Sequence, residues 1–272
     1  FSKAGIMPLH AWLPAAMVAP TPVSALLHAV AVVKVGAFSV FRVITDIFGP
    51  DLLQSFGFDT LLCAIAAVTI LVSSLIALSQ DNLKRRLAFS TIGQLSYIVL
   101  GAALLSHSGL AGGMLHIAMH AFGKITLFFC AGALMVAAGV KNISDMTGIG
   151  KQMPVTMGAF FIGALSVIGL PPCGGFISKW HLALGTIEAG QYLMLAVLLG
   201  SSLLNAAYFL PVVYRAFFCT EEAARFEPQI KEAPGSCLAP PVATAAISLV
   251  LFFYPQPFFN LSQLAVARIL GG

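Results

Sequence analysis

From Leu61 to Ser79 the chain reads LLCAIAAVTILVSSLIALS, with no charged residue. A run of this kind is long enough to cross a bilayer as a helix, which takes about 20 apolar residues. Comparable runs recur along the chain, which is 59% hydrophobic with a mean hydropathy of +0.95. That balance excludes an ordinary soluble globular protein. In lipid every backbone polar group must be paired internally, so only helices and closed barrels span. Barrel strands alternate over about ten residues, whereas these runs are continuous. The expected fold class is therefore all-α: a polytopic transmembrane helix bundle of about eight spans, two of them with proline breaks.

The spans are expected at 1–19 (partial), 22–47, 60–79, 87–105, 109–139, 155–187, 191–218 and 239–259, with a short C-terminal tail over 260–272. The sixth span breaks at Pro171 and Pro172. The opening FSKAGIMPLH has neither an initiator Met nor a signal-peptide pattern. The chain thus reads as a fragment, residues 1–272 forming one membrane transporter domain with its N-terminal helices missing. Loops at 80–86, 140–153 and 219–238 carry lysine and arginine, among them Lys84, Arg85, Arg86, Lys141, Lys151 and Lys231. The loops around 48–59, 106–108 and 188–190 carry none. The positive-inside bias places the basic loops in the cytoplasm, with the chain in a bacterial inner membrane.

Against this background, lysines near the middle of apolar stretches need a reason. Lys34 lies in LLHAVAVVKVGAFSV, Lys124 in LHIAMHAFGKITLFF, and Lys179 follows the broken run IGLPPCGGFIS. An ammonium at bilayer depth costs roughly 2.5–3.5 kcal/mol on insertion scales and marks a proton or ion path by default. His116, His120 and Lys124 follow at i, i+4 and i+8, on one stripe of the fifth helix. Histidine exchanges protons near pH ~6.5, and desolvation brings lysine within reach of the same exchange. The alternative is structural, with the histidines bonding carbonyls and the lysine held in a buried ion pair. His28 and Lys34 lie on different faces of the second helix. Lys34 is too far from either helix end to snorkel to an interface. No acidic residue occupies a span centre, so any counter-charge is expected from outside this chain or from neutral lysines.

Lys3 beside Pro8, and Lys179 after Pro171 and Pro172, give two broken helices of the same ingredients. In the expected topology they cross in opposite directions, the inverted-repeat pattern of transporters. The five cysteines lack any CxxC spacing, and no metal or cofactor site is readable.

Four stretches carry a resemblance: Lys3 to Phe38, Asp81 to Gly101, His116 to Leu134, and Ile168 to Trp180. They resemble the proton-conducting antiporter family, which includes Mrp-type Na+/H+ antiporters and the antiporter-like membrane subunits of respiratory complex I. AMVAPTPVSALLHAVAVVKVGAF is most similar to the D-type subunit of Mrp antiporters and its relatives. The resemblance implies a fold of about fourteen helices with two inverted five-helix repeats. It implies that Lys3 is the first-repeat lysine, and that His28 and Lys34 hold connecting positions. Lys124 with His116 and His120 would form the second-repeat group, with Lys179 at the end of the path. The family's partner glutamate would precede Phe1.

The expected function is proton translocation through these lysines and histidines, as a subunit of a multisubunit monovalent cation/proton antiporter. An NADH:quinone oxidoreductase or membrane-bound hydrogenase is the alternative setting, and a structural subunit without conduction is a second alternative. The expected partners are other membrane subunits, lipid, H+ and one of Na+ or K+, with no nucleic acid. The chain is read as a transporter subunit without catalytic chemistry of its own, so whether it counts as part of an enzyme depends on that setting.

Overall fold

The computed structural model describes residues 1–27, 31–218 and 230–271. All regular elements among them are helical. They are α1 (Trp12–Ala15), α2 (Thr21–Ala25), α3 (Val32–Arg42), α4 (Gly49–Ser55), α5 (Phe58–Ser79), α6 (Leu83–Ala103) and α7 (His107–Ala138). Then follow α8 (Ile149–Gln152), α9 (Pro154–Ile168), α10 (Gly174–Glu188), α11 (Tyr192–Phe217), α12 (Gly235–Phe253) and α13 (Gln256–Leu270). Four of these, α5, α7, α11 and α12, are each long and apolar enough to cross a membrane.

α7 is the central post. It packs against α10, α6, α12, α9, α13 and α2. Its 32 residues correspond to about 48 Å at 1.5 Å per residue, well beyond the ~30 Å of a hydrocarbon core. Ser106 caps its start, the hydroxyl accepting from Gly109 N at 3.2 Å, and Gly139 ends it in the left-handed conformation. Apolar side chains point outward from the flanking helices, including Leu61, Val68 and Leu75 on α5 and Leu199 and Leu203 on α11. The outward faces of α5 and α11 are thus apolar, as membrane helices are, while their buried faces carry a few polar side chains such as Thr69, Ser73 and Asn205.

Several boundaries differ from the sequence expectation. Residues 1–11 are turns, and α1 is short, in place of a helix over 1–19. Within the span expected over 22–47, α2 and α3 are the described helices, residues 28–30 lying outside the described residues, and α3 runs into a π-helical segment over Val43–Phe48. The loop around 48–59 holds α4, begun by Pro50 in its first turn. The eighth span stops at Phe253, and residues 256–270 form α13, whose Val266 and Ser262 are buried. Pro255 separates these two helices. The break in the sixth span stands as expected, with α9 ending at Ile168, Gly169 at φ +87°, and α10 starting at Gly174.

The basic loops meet at one end of the bundle. Leu83 N donates to Lys141 O at 3.0 Å and Ile143 N to Asp81 O at 2.8 Å. Lys231 N donates to Gln152 O at 2.9 Å. Glu232 accepts from Val155 N at 2.6 Å and Thr156 N at 3.3 Å, capping α9. At the opposite end Glu188 accepts from Ser108 N at 2.9 Å and from the Ser108 hydroxyl. Each carboxylate satisfies free N–H groups of a helix start.

Candidate functional site

α7 presents His116, His120 and Lys124 on one stripe, as the spacing predicts, and all three are buried. α3 brings Lys34 to them, and Lys34 Nζ lies 2.5 Å from His120 Nδ1. The His120 and His116 rings stack with centroids 5.6 Å apart and planes 14° apart. Three of the predicted residues are therefore contiguous: Lys34, His120 and His116.

Lys124, His116 and Lys179 are each met from α6. Ser90, Gln94 and Tyr97 recur at i, i+4 and i+7, so they share one face of that helix. Lys124 Nζ donates to Ser90 Oγ at 2.7 Å. His116 Nε2 lies 3.0 Å from Gln94 Oε1. Tyr97 meets the His116 ring edge-on at 5.4 Å, and Lys179 Nζ sits 4.9 Å from the Tyr97 ring centroid. The Tyr97 ring thus adjoins both His116 and Lys179. Lys124 also lies 5.5 Å from the Phe209 ring centroid. A ring face attracts a cation, which offers charge stabilisation where no carboxylate of the described residues is at hand.

Lys179 belongs to the helix break. Its Nζ donates to Ile168 O at 2.9 Å and to Ser202 Oγ at 3.1 Å. Ile168 is the last residue of α9, so its carbonyl has no partner within the helix. The lysine fills that need, and an ammonium at a helix C-terminus also matches the local dipole. Close packing holds the break in place: a Cβ at Gly175 would stand 1.8 Å from Ser166 O.

The hydrogen bonds around His116 admit both of its protonation states. Gln94 Nε2 donates to Val167 O at 3.4 Å, which turns Oε1 toward His116. A carbonyl oxygen only accepts, so His116 Nε2 carries a proton. Ser178 Oγ lies 2.9 Å from His116 Nδ1 and 3.1 Å from Gly175 O. With neutral His116 the Ser178 hydroxyl donates to Nδ1. With imidazolium, Nδ1–H donates to Ser178 Oγ and the hydroxyl turns to Gly175 O. Neither state leaves a buried atom of this ring unpaired. His120 differs, because its Nε2 is buried without a hydrogen-bond partner among the described residues. That atom is the open end of the pair.

Of the two remaining predicted residues, Lys3 falls outside this row. The Lys3 side chain is exposed, although its backbone packs on α3, where a Cβ at Gly36 would stand 2.5 Å from Lys3 C. His28 lies outside the described residues. Sequence reasoning missed Ser90, Gln94, Tyr97, Ser178 and Ser202. The signal was present on α6, where polar side chains recur at helical spacing through an otherwise membrane-like segment.

Residues 1–205 match the protein family described as the NADH:quinone oxidoreductase/Mrp antiporter, transmembrane part. The chain is 41% identical to NADH-quinone oxidoreductase subunit N of Desulforudis audaxviator, covering 97% of this chain and 55% of that protein. It is 33% identical to the D-type subunit of the Na(+)/H(+) antiporter of Alkalihalophilus pseudofirmus, covering 98% and 53%. The chain thus spans about half the length of these curated relatives. Among solved structures, a chain of the membrane-bound sulfane sulfur reductase, an archaeal respiratory membrane complex, superposes with a TM-score of 0.88 at 29% identity, covering 98% of this chain and 53% of that one. A chain of the Mrp complex from Dietzia shares the fold with a TM-score of 0.88 at 23% identity, covering 98% and 57%. The matched residues include α6, α7, the broken α9–α10 pair and every lysine of the row, and on this ground the chain is a member of the NADH:quinone oxidoreductase/Mrp antiporter transmembrane family.

Proposed function

We infer that this chain moves protons across the inner membrane along its buried lysines and histidines, as one subunit of a multisubunit assembly. The observation that carries the reading is the Lys34–His120 contact at 2.5 Å at the head of a stacked histidine pair. A row of exchangeable sites with one proton fewer than it can hold is what transfer requires. Lys34, His120, His116, Lys124 and Lys179 form the path. Lys3 and His28 are assigned to it by their motif positions. Loops 80–86, 140–153 and 219–238 are placed in the cytoplasm by their basic residues.

Movement along the row is driven by charge coupling. Two unit charges ~7 Å apart at an effective dielectric near 20 interact by about 2.4 kcal/mol, enough to change a neighbour's proton affinity more than ten-fold. A proton arriving at one lysine therefore expels one from the next.

Two assemblies fit this reading. One is a monovalent cation/proton antiporter exchanging H+ for Na+ or K+, and the other is a redox-driven pump of the NADH:quinone oxidoreductase type. The higher identity to the quinone oxidoreductase relative, 41% against 33% for the antiporter relative, favours the second. Purifying the assembly through a tag on this chain separates them, since only the pump retains NADH-dependent quinone reduction. The test of the shared mechanism is Lys124→Ala in the intact assembly, reconstituted in proteoliposomes. Proton flux is expected to vanish while the subunits remain assembled, and normal flux overturns the reading.

A further inference from the structure

A second line of polar side chains runs along α11, apart from the histidines. Ser201, Ser202, Asn205 and Tyr208 lie within one face of that helix. Ser201, Asn205 and Tyr208 are each 1% exposed, and Tyr97 opposite them is fully buried. From the Lys124 side, the ammonium donates to Ser90 Oγ at 2.7 Å, and Ser90 adjoins the Tyr208 hydroxyl. That hydroxyl donates to Asn205 Oδ1. From the other side, Lys179 donates to Ser202 Oγ at 3.1 Å. The Tyr97 hydroxyl faces Ser201, Ser202 and Asn205. Tyr97 Oη and Asn205 Nδ2 are both buried without a hydrogen-bond partner among the described residues. Packing alone asks for phenylalanine and leucine at such positions, because an unpaired buried polar atom is destabilising.

The chemistry of the links limits what this line can carry. A hydroxyl can accept and donate at once, but an amide oxygen only accepts and an amide nitrogen only donates. Asn205 therefore does not pass a proton. It does set direction. Lys124 donates to Ser90, and Tyr208 donates to Asn205. Beyond Asn205 its N–H and the Tyr97 hydroxyl stand near each other without a hydrogen bond, and Ser202 next to Tyr97 accepts from Lys179, so the dipole of the Lys124 side is carried to Lys179 through space. Hydrogen bonds aligned in one sense polarise one another. They favour charge on Lys124 and oppose it on Lys179.

We propose that Asn205 is a positioning residue that couples the charge states of Lys124 and Lys179 through Tyr208 and Tyr97, by a route along α11 that carries polarity and no proton. The proposal rests on the proton-transfer reading above. It adds a link between the two lysines that bypasses the histidines. The titratable groups facing Lys124 are His120 on its own helix, Lys34 on α3 and Tyr208 on α11. Those facing Lys179 are Tyr97 on α6 and His116 and His120 on α7. Arg86 on α6 lies against Tyr208, its Nη1 donating to Tyr208 O at 2.8 Å. α9 contributes no charged residue to either lysine.

The test is the pH profile of proton transport by the intact assembly in proteoliposomes, with Asn205→Leu, Asn205→Gln and Tyr97→Phe. Asn205→Leu and Tyr97→Phe are expected to shift the half-maximal pH in the same direction, by at least about half a unit. Asn205→Gln, which keeps the amide, is expected to lie closer to the parent. A merely structural role changes the yield of assembled complex or the maximal rate at an unchanged midpoint. Tyr97→Phe removes one hydroxyl and keeps the ring, so it decides the matter if Asn205→Leu does not assemble. Assembled variants with the parent's midpoint overturn the proposal. If Lys124→Ala also abolishes flux in that case, the proton-transfer reading survives and only this coupling falls. Normal flux in Lys124→Ala removes both.

Discussion

Lys34 Nζ and His120 Nδ1, from helices α3 and α7, lie 2.5 Å apart in a buried setting. A hydrogen bond between two nitrogens holds one proton, and two full cations in direct contact are excluded by repulsion. The pair is therefore a donor–acceptor unit, with His120 neutral at Nδ1 whenever Lys34 is charged. Lys34→Met keeps the length of the side chain and removes the donor. It leaves His120 Nδ1 buried and unpaired at a cost of about 1–3 kcal/mol. The expected result is a fall in proton flux of at least about ten-fold, since each ~1.4 kcal/mol on a barrier is ten-fold in rate. Subunit composition is expected to be normal on native gels. Unimpaired flux in an assembled Lys34→Met complex removes Lys34 from the path.

Ser178 is the residue that lets His116 change protonation without stranding an atom. Its hydroxyl stands 2.9 Å from His116 Nδ1 and 3.1 Å from Gly175 O, so it rotates between two partners. Ser178→Ala removes this switch while filling nearly the same volume. Flux is expected to drop by about ten-fold, the equivalent of one lost buried hydrogen bond. Ser178→Thr, which keeps the hydroxyl, is expected to retain most of it. Equal flux in the alanine and threonine variants would show that the hydroxyl does not take part.

Much of this was legible in the sequence. The stripe His116, His120 and Lys124 required only helical spacing, because a polar row on an apolar helix has to turn inward. The break before Lys179 followed from Pro171 and Pro172. What the spacing of α7 alone could not supply was the partner of each group. The Lys34–His120 pair joins residues 86 positions apart, and such a contact depends on how α3 crosses α7. His28 and Lys34 were read as facing different neighbours, and of these the structure describes only Lys34, which meets His120. α13 was missed for a different reason. Its sequence QPFFNLSQLAVARIL has modest hydrophobicity, so a search for spans passes over it, although helical periodicity buries Ser262 and Val266 on one side. The polar face of α6 was visible as a pattern, but serine, glutamine and tyrosine attract less notice than charge.

Glu188 closes the end of the bundle opposite the basic loops. It follows α10 to its last residue and accepts from Ser108 N at 2.9 Å, within the first turn of α7. A carboxylate at that place satisfies a free N–H and opposes the positive end of the helix dipole. Glu188→Ala is expected to destabilise the solubilised complex by about 1 kcal/mol, lowering its thermal midpoint by a few degrees. Proton flux at moderate temperature is expected to persist, because this cap lies outside the row of lysines and histidines. A loss of flux with unchanged thermal stability would place Glu188 in the path instead.

Gly175 is where the two halves of the broken helix touch most closely. A Cβ there would stand 1.8 Å from Ser166 O and 2.8 Å from Ser166 C. These are backbone atoms of α9, which cannot move aside as a flexible side chain can. Gly175→Ala must therefore push α10 away from α9. That movement carries Ser178 and Lys179 with it, because both lie within one turn of Gly175. Overpacking of this kind destabilises by about 1–3 kcal/mol or more. The expected outcome is a lower thermal midpoint together with reduced flux, since the Ser178–His116 and Lys179–Ile168 contacts of 2.9 Å each are stretched. Gly174→Ala is the comparison. Its Cβ would meet Met119 Sδ at 2.8 Å, a thioether that can rotate, with Ser248 O farther off at 3.4 Å. The alanine at 174 is expected to be the milder of the two in both measurements, and the reverse order would show that the α9–α10 approach does not hold Lys179 in place.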